Sequence, residues 1–159
     1  QGGWFVPAES ATLRRASGMF VSLIDDTKAD QKEGRLGSEL VRIRQLFEAA
    51  RPGALIVLDE LCSGTNPSEG EEIFYLVLQL LDELQPEAFI TTHFLAFARR
   101  LSADDEPLTL SFLQVELDEH QRASFGFVAG VATTSLAAQT AARLGVTREE
   151  LMALVRRNK

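Results

Sequence analysis

Five apolar residues in a row, Ala54 to Leu58 (ALIVL), end abruptly in two acids, Asp59 and Glu60. An uninterrupted apolar run of that kind reads as a strand buried on both faces, as in a parallel sheet covered by helices. The acids then stand at the carboxyl end of the strand, where open parallel sheets gather their ligands. The flanking sequence agrees. Upstream, Leu36, Leu40, Ile43 and Phe47 lie on one face of an amphipathic helix that stops before Arg51-Pro52-Gly53. Downstream, Ser63 to Gly70 reads as a turn, after which Ile73, Phe74, Val77, Leu80, Leu81 and Leu84 recur at helical spacing as far as Gln85-Pro86.

Other segments extend the pattern. Gly18 to Ile24 (GMFVSLI) reads as a strand and Asp25 to Glu33 as a polar loop. Ala88 to Thr92 (AFITT) reads as the next strand, His93 follows it directly, and Phe94 to Leu101 fits a short helix. Alternation of helix and strand implies an α/β layer structure with right-handed parallel crossovers. Leu108 to Leu117 and Ser124 to Val128 read as two strands of a hairpin, with a change of apolar phase near Leu113 that a bulge explains. Thr134 or Ser135 can cap an alanine-rich helix ending at Gly145. Thr147 with Glu150 forms a capping-box start for the last helix.

Composition narrows the function classes. The 159 residues, 45% hydrophobic and 25% charged, fit one globular domain. No stretch approaches the roughly 20 apolar residues that cross a bilayer, and the start lacks the regions of a signal peptide, so a cytoplasmic protein with no membrane partner is expected. One cysteine, Cys62, excludes an internal disulfide framework and, with two distant histidines, leaves no structural zinc spacing. A net charge of -7 argues against a general binder of phosphate backbones.

Hydrolysis of a nucleoside triphosphate needs one carboxylate to hold magnesium through its water shell and another group to orient or deprotonate the attacking water. Asp59 and Glu60 have the chemistry for both, though two acids ending a strand also fit a solvated edge. Gly64-Thr65-Asn66 follows in a turn suited to close backbone approach. His93, one strand later, can hydrogen-bond a terminal phosphate; a lone histidine there is also compatible with a structural role. Cys62 has no nearby base and reads as a structural or incidental thiol rather than a nucleophile, and His120 as solvated. Trp4 and Phe5 suit packing more than base stacking. The basic residues Arg148, Arg156, Arg157 and Lys159 of the last helix fit either a solvated face or a docking surface.

Gln1-Gly2-Gly3-Trp4-Phe5-Val6-Pro7-Ala8, Asp25-Asp26, the segment Asp59 to Asn66 (DELCSGTN) and Thr92-His93-Phe94 together resemble the ATPase domain of the MutS family of DNA mismatch repair proteins. The resemblance runs through the whole chain and is closer to the divergent MutS-related proteins than to the mismatch-recognising type. It implies that residues 1–159 are the C-terminal portion of a single MutS-type ATPase domain. The implied fold is α/β: part of a P-loop NTPase, similar to the ABC ATPases, with a mainly parallel sheet flanked by helices, a β-hairpin and a helical C-terminus. The cofactors implied are ATP and Mg2+. Asp59 is then the Walker B magnesium ligand, Glu60 and His93 are the catalytic carboxylate and the switch histidine, and Gly64, Thr65 and Asn66 form the D-loop equivalent.

The resemblance further implies a homodimer through the ATPase domains, each closing the other's site, with DNA bound by other domains of the parent protein. Aligning Glu39-Leu40 with the family's Glu-Met pair puts Gly34 where a serine usually faces the partner's phosphate. Gly34 offers no hydroxyl, which counts against a conventional contact in trans; its backbone N–H and the helix N-terminus can still meet an anion, with Arg35 or Ser38 to compensate, and a flexible helix entry is the plainer reading. The chain also lacks a G-x-x-x-x-G-K-[S/T] loop, which family order places upstream of Gln1.

Two other readings stand beside this one. A non-catalytic dimerisation module with a degenerate nucleotide site draws on Gly34 and the missing loop. A transporter ATPase subunit shares the general architecture, but the FVPA segment and the lack of an LSGGQ run speak against it. The 159 residues by themselves are expected to bind ATP weakly or not at all; isothermal titration giving micromolar affinity for MgATP would overturn this.

Overall fold

The computed structural model describes residues 6, 8–23, 34–103, 108–119, 122–133 and 137–157. Of the FVPA segment only Val6 and Ala8 are among them. Trp4, Phe5, Asp25, Asp26, His120, Thr134 and Ser135 lie outside them, as does the side chain of Arg35. The chain forms two compact units, Gln1–Leu110 and Ser111–Lys159.

The first unit is an α/β layer. Its order is β1 (Met19–Ser22), α1 (Gly34–Ala49), β2 (Leu55–Leu58), α2 (Pro67–Leu84), β3 (Glu87–Ile90) and α3 (Leu95–Ala103). The three strands are parallel in the order β1-β2-β3. Leu58 pairs with Ser22 on one side and with Ile90 on the other. The ladder runs one step further, because the Asp59 N–H donates to the Ser22 carbonyl (2.9 Å) and the Thr91 N–H to the Leu58 carbonyl (3.0 Å).

Each sequence-derived element is present, with shifted limits. The helix expected from Ile73 begins at Pro67, inside the segment read as a turn. Proline at the first helical position lacks only an N–H that would have no partner there, and Asn66 caps the helix by accepting the Ser68 N–H (3.1 Å). Thr91 and Thr92 fall just past β3 rather than inside it. The inward stripe of α1 includes Leu46, which is fully buried, while Leu40 is exposed; in α2 Leu78 is buried and Leu80 is not.

The expectation of a strand buried on both faces needs correcting. Ile56 and Leu58 are 0% and 2% exposed, whereas Leu55 and Val57 between them are only half-buried. One cluster covers the first face, built from Leu46 of α1, Phe74, Val77, Leu78 and Leu81 of α2, and Phe97 of α3, with Phe94 beside them. Across the other face the register lines up Val21, Val57 and Phe89, and Phe89 is 54% exposed. An apolar run therefore records burial on one face here and hydrophobic residues on the other.

The second unit carries the hairpin β4 (Leu113–Leu117) and β5 (Ala123–Ala129), then α4 (Ala137–Arg143) and α5 (Arg148–Arg157). The first strand is shorter than the Leu108 to Leu117 expected. Leu108 and Leu110 instead belong to the first unit, packed against its core. The irregularity falls between Val115 and Leu117 rather than near Leu113. α4 ends in a Schellman arrangement, with Gly145 at φ +72° and the Val146 N–H donating to the Ala141 carbonyl (2.8 Å). The capping box forms as expected: the Glu150 N–H donates to the Thr147 hydroxyl and the Thr147 N–H to the Glu150 carboxylate, both at 3.3 Å. No residue of α5 is buried.

Phe74 joins α2 to α3 through its ring contact with Phe97, at 5.4 Å between centroids. Phe74→Ala should lower stability by about 3–5 kcal/mol, the usual cost of emptying an aromatic core position, read as a lower urea midpoint.

Candidate functional site

Parallel pairing sets the site. Because Leu58 and Ile90 are partners, the next residues of the two chains, Asp59 and Thr91, come side by side at the carboxyl edge of the sheet. The Thr91 hydroxyl donates to Asp59 Oδ1 at 2.6 Å and accepts the Glu60 N–H at 2.9 Å. His93, two residues on, brings Nδ1 to 3.8 Å from Glu60 Oε2. That is beyond hydrogen-bond length, and both side chains are about half exposed, so each keeps a face toward solvent. The Thr92 hydroxyl is engaged elsewhere, accepting the Phe94 N–H (3.0 Å) where the chain turns into α3.

After Glu60 the backbone reverses sharply. Glu60 and Cys62 hold φ +46° and +62°, the left-handed region that costs non-glycine residues roughly 1–2 kcal/mol each. Three contacts over-determine that turn. The Ser63 N–H donates to the Glu60 carbonyl (3.1 Å), Thr91 takes the Glu60 N–H, and Glu39 Oε1 of α1 accepts the Cys62 N–H (2.5 Å). Leu61 and Cys62 are buried in the core cluster, which anchors the turn from below. Backbone strain held at a cluster of acids is a common mark of functional sites.

Gly70 in the first turns of α2 completes the support. A Cβ there would lie 3.1 Å from the Cys62 carbonyl oxygen, 3.2 Å from the Phe94 ring and 3.3 Å from the Thr65 side chain. A side chain there would meet all three more tightly than ordinary contact, so the helix lies as close to the turn as it does with no Cβ between them.

The structure thus brings Asp59, Glu60 and His93 together. Gly64 and Thr65 follow in the same loop, with Thr65 Oγ1 donating to Glu69 (3.3 Å). The Asn66 side chain is committed to its own helix, accepting from both the N–H and the hydroxyl of Ser68. Gly34 opens α1 at φ +65°, and the Ser38 hydroxyl donates back to the Gly34 carbonyl (2.9 Å). Sequence reasoning missed Thr91, Glu39 and Gly70 as parts of the site. Thr91 enters the site through the register, one residue beyond the strand partner of Leu58, which the sequence does not state.

Among the described residues no three His, Cys, Asp or Glu side chains converge into a metal cage. Magnesium does not require one. It keeps several waters and takes one or two carboxylates plus phosphate oxygens, and a single strand-end carboxylate such as Asp59 fits that donor set.

A family model described as MutS domain V matches residues 1–152. An endonuclease MutS2 of Thermus thermophilus is 30% identical over 151 residues, covering 95% of this chain and 20% of that protein. One from Thermomicrobium roseum is 28% identical over 94% of this chain and 19% of its own length. The mouse MutS protein homolog 4 is 35% identical over 93 residues, 58% of this chain. The chain thus spans about a fifth of the length of the MutS2 proteins that it matches end to end.

Burial pushes the Cys62 thiol up to about 12, with the Glu39 carboxylate adding to the effect. A thiol raised above its value in the unfolded chain contributes stability below about pH 9 that is lost as pH rises toward 12. Cys62 should therefore resist Ellman's reagent in the folded protein at neutral pH and react once urea unfolds it. Cys62→Ala should flatten the fall in stability above pH 9.

Proposed function

Since this chain belongs to the MutS family, as its domain V, we propose that it is the hydrolytic portion of an ATP-binding domain in a MutS-related DNA repair or recombination protein, coupling ATP turnover to conformational change on DNA. The observation that carries the reading is the meeting of Asp59, Glu60 and His93 at the carboxyl ends of adjacent parallel strands. The same reading makes the three-stranded sheet part of a P-loop NTPase.

In this mechanism Asp59 would hold Mg2+ through its water shell, and the ion would supply positive charge against that of the phosphates. Glu60 accepts the proton of the attacking water, and its exposed carboxylate edge leaves room for one. His93 donates to the terminal phosphate, close enough to Glu60 for the two to share that region. At a dimer partner's site, Gly64 and Thr65 approach through the loop, and Asn66 offers backbone only, because its side chain caps α2. Gly34, Arg35 and Ser38 stand at the start of the 16-residue helix α1, whose N-terminal N–H groups suit an anion. DNA binding is assigned to other domains, in keeping with the charge of -7 here, and no described helix is long and apolar enough to cross a membrane. A cytoplasmic homodimer completes the proposal.

A degenerate, non-catalytic dimerisation module is the second reading, favoured by the absence of a hydroxyl at Gly34 and by the turning of the Ser38 hydroxyl onto the Gly34 carbonyl.

Glu60→Gln in the intact protein separates the two. It keeps the shape of the side chain and removes the base, so nucleotide binding should persist while steady-state hydrolysis falls by roughly 100-fold or more. Hydrolysis at the wild-type rate in that variant takes Glu60 out of its role.

A further inference from the structure

One hydroxyl serves both acids of the site. A backbone N–H only donates and a carboxylate only accepts, so the two bonds at Thr91 Oγ1 have a fixed direction, from the Glu60 N–H through the hydroxyl to Asp59 Oδ1. The group is rigidly mounted. Threonine is stiff about χ1, and the Thr91 N–H donates to the Leu58 carbonyl, which ties it to the strand that carries the acids. The bond it accepts is one of the three contacts that hold the turn in which Glu60 keeps its left-handed conformation (φ +46°).

We propose that Thr91 is a positioning residue for the Asp59–Glu60 pair, its hydroxyl orienting the Asp59 carboxylate and holding Glu60 in its left-handed turn. With Oδ1 engaged by Thr91, Oδ2 is the Asp59 oxygen that would be left to meet the water shell of a magnesium ion. With its N–H anchored, Glu60 keeps its carboxylate beside His93. This rests on the ATPase reading above and adds to it a residue that touches neither nucleotide nor attacking water.

The test uses the intact protein and three variants: Thr91→Val, which keeps the shape and loses the hydroxyl; Thr91→Ser, which keeps the hydroxyl; and Glu60→Gln. If Thr91→Val fails to fold, Thr91→Ala takes its place. Three quantities are read: hydrogen exchange of the peptide bearing the Glu60 amide, kcat and KM for ATP at saturating magnesium, and the magnesium concentration at half-maximal rate. For Thr91→Val we expect faster exchange at Glu60, kcat lower by on the order of tenfold, a higher half-saturating magnesium concentration and little change in KM. Thr91→Ser should restore all of these to near wild type. Unchanged exchange or unchanged kcat in Thr91→Val, in a protein whose Glu60→Gln variant has lost hydrolysis, overturns the positioning role and leaves the ATPase reading standing. Thr91→Ser as impaired as Thr91→Val also overturns it, because the hydroxyl is then not the operative group. Wild-type hydrolysis in Glu60→Gln overturns both.

Discussion

The parallel register of β2 and β3 is the constraint on which the site depends. Pairing Leu58 with Ile90 leaves Asp59 and Thr91 as the next residues on adjacent strands, and strand spacing of about 4.8 Å then brings a threonine hydroxyl to a carboxylate without help from a loop. A slip of one residue would move Thr91 away and turn every side chain of the strand to the opposite face. The observed register keeps Ile56 and Leu58 in the core, and a slip would exchange them with the half-buried Leu55 and Val57, which differ in shape but not in apolar character.

The turn after β2 is where packing and chemistry meet. Two non-glycine residues in left-handed conformations within three positions are unfavourable in isolation, and the turn persists because its neighbours hold it. Glu39 reaches across from α1 to take the Cys62 N–H, Thr91 takes the Glu60 N–H, and Cys62 and Leu61 are sunk in the core. Gly70 lets α2 close over the far side. The helix whose start is proposed to face a partner is thereby hydrogen-bonded to the loop that follows the acids, so a shift of α1 would be felt at Cys62, two residues from Glu60.

Several features were legible because they depend on neighbours in sequence. The Thr147–Glu150 capping box, the proline-glycine stop after α1 and the helical spacing of α2 follow from backbone hydrogen bonding and periodicity within a few residues. The strand ending in Asp59 and Glu60 was equally plain. Limits were misjudged where a local signal carries two meanings. Pro67 marks either a turn or the first residue of a helix, and the cap bond from Asn66 decides which. Leu108 and Leu110 have the apolar character of a strand but serve as isolated contacts to the core of the first unit.

The sequence by itself determined an alternating α/β unit, an acidic pair at a strand end, a histidine at the end of the next strand, and the resemblance that the family match bears out. Those depend on residue identity and short-range order. Tertiary structure alone decided that only one face of the sheet is buried among the described residues, and that Thr91 and Glu39 belong with Asp59 and Glu60. The reason is distance along the chain. Thr91 lies 32 residues from Asp59 and Glu39 lies 23 from Cys62, and no local pattern encodes a contact that exists only once strands have paired and helices have packed.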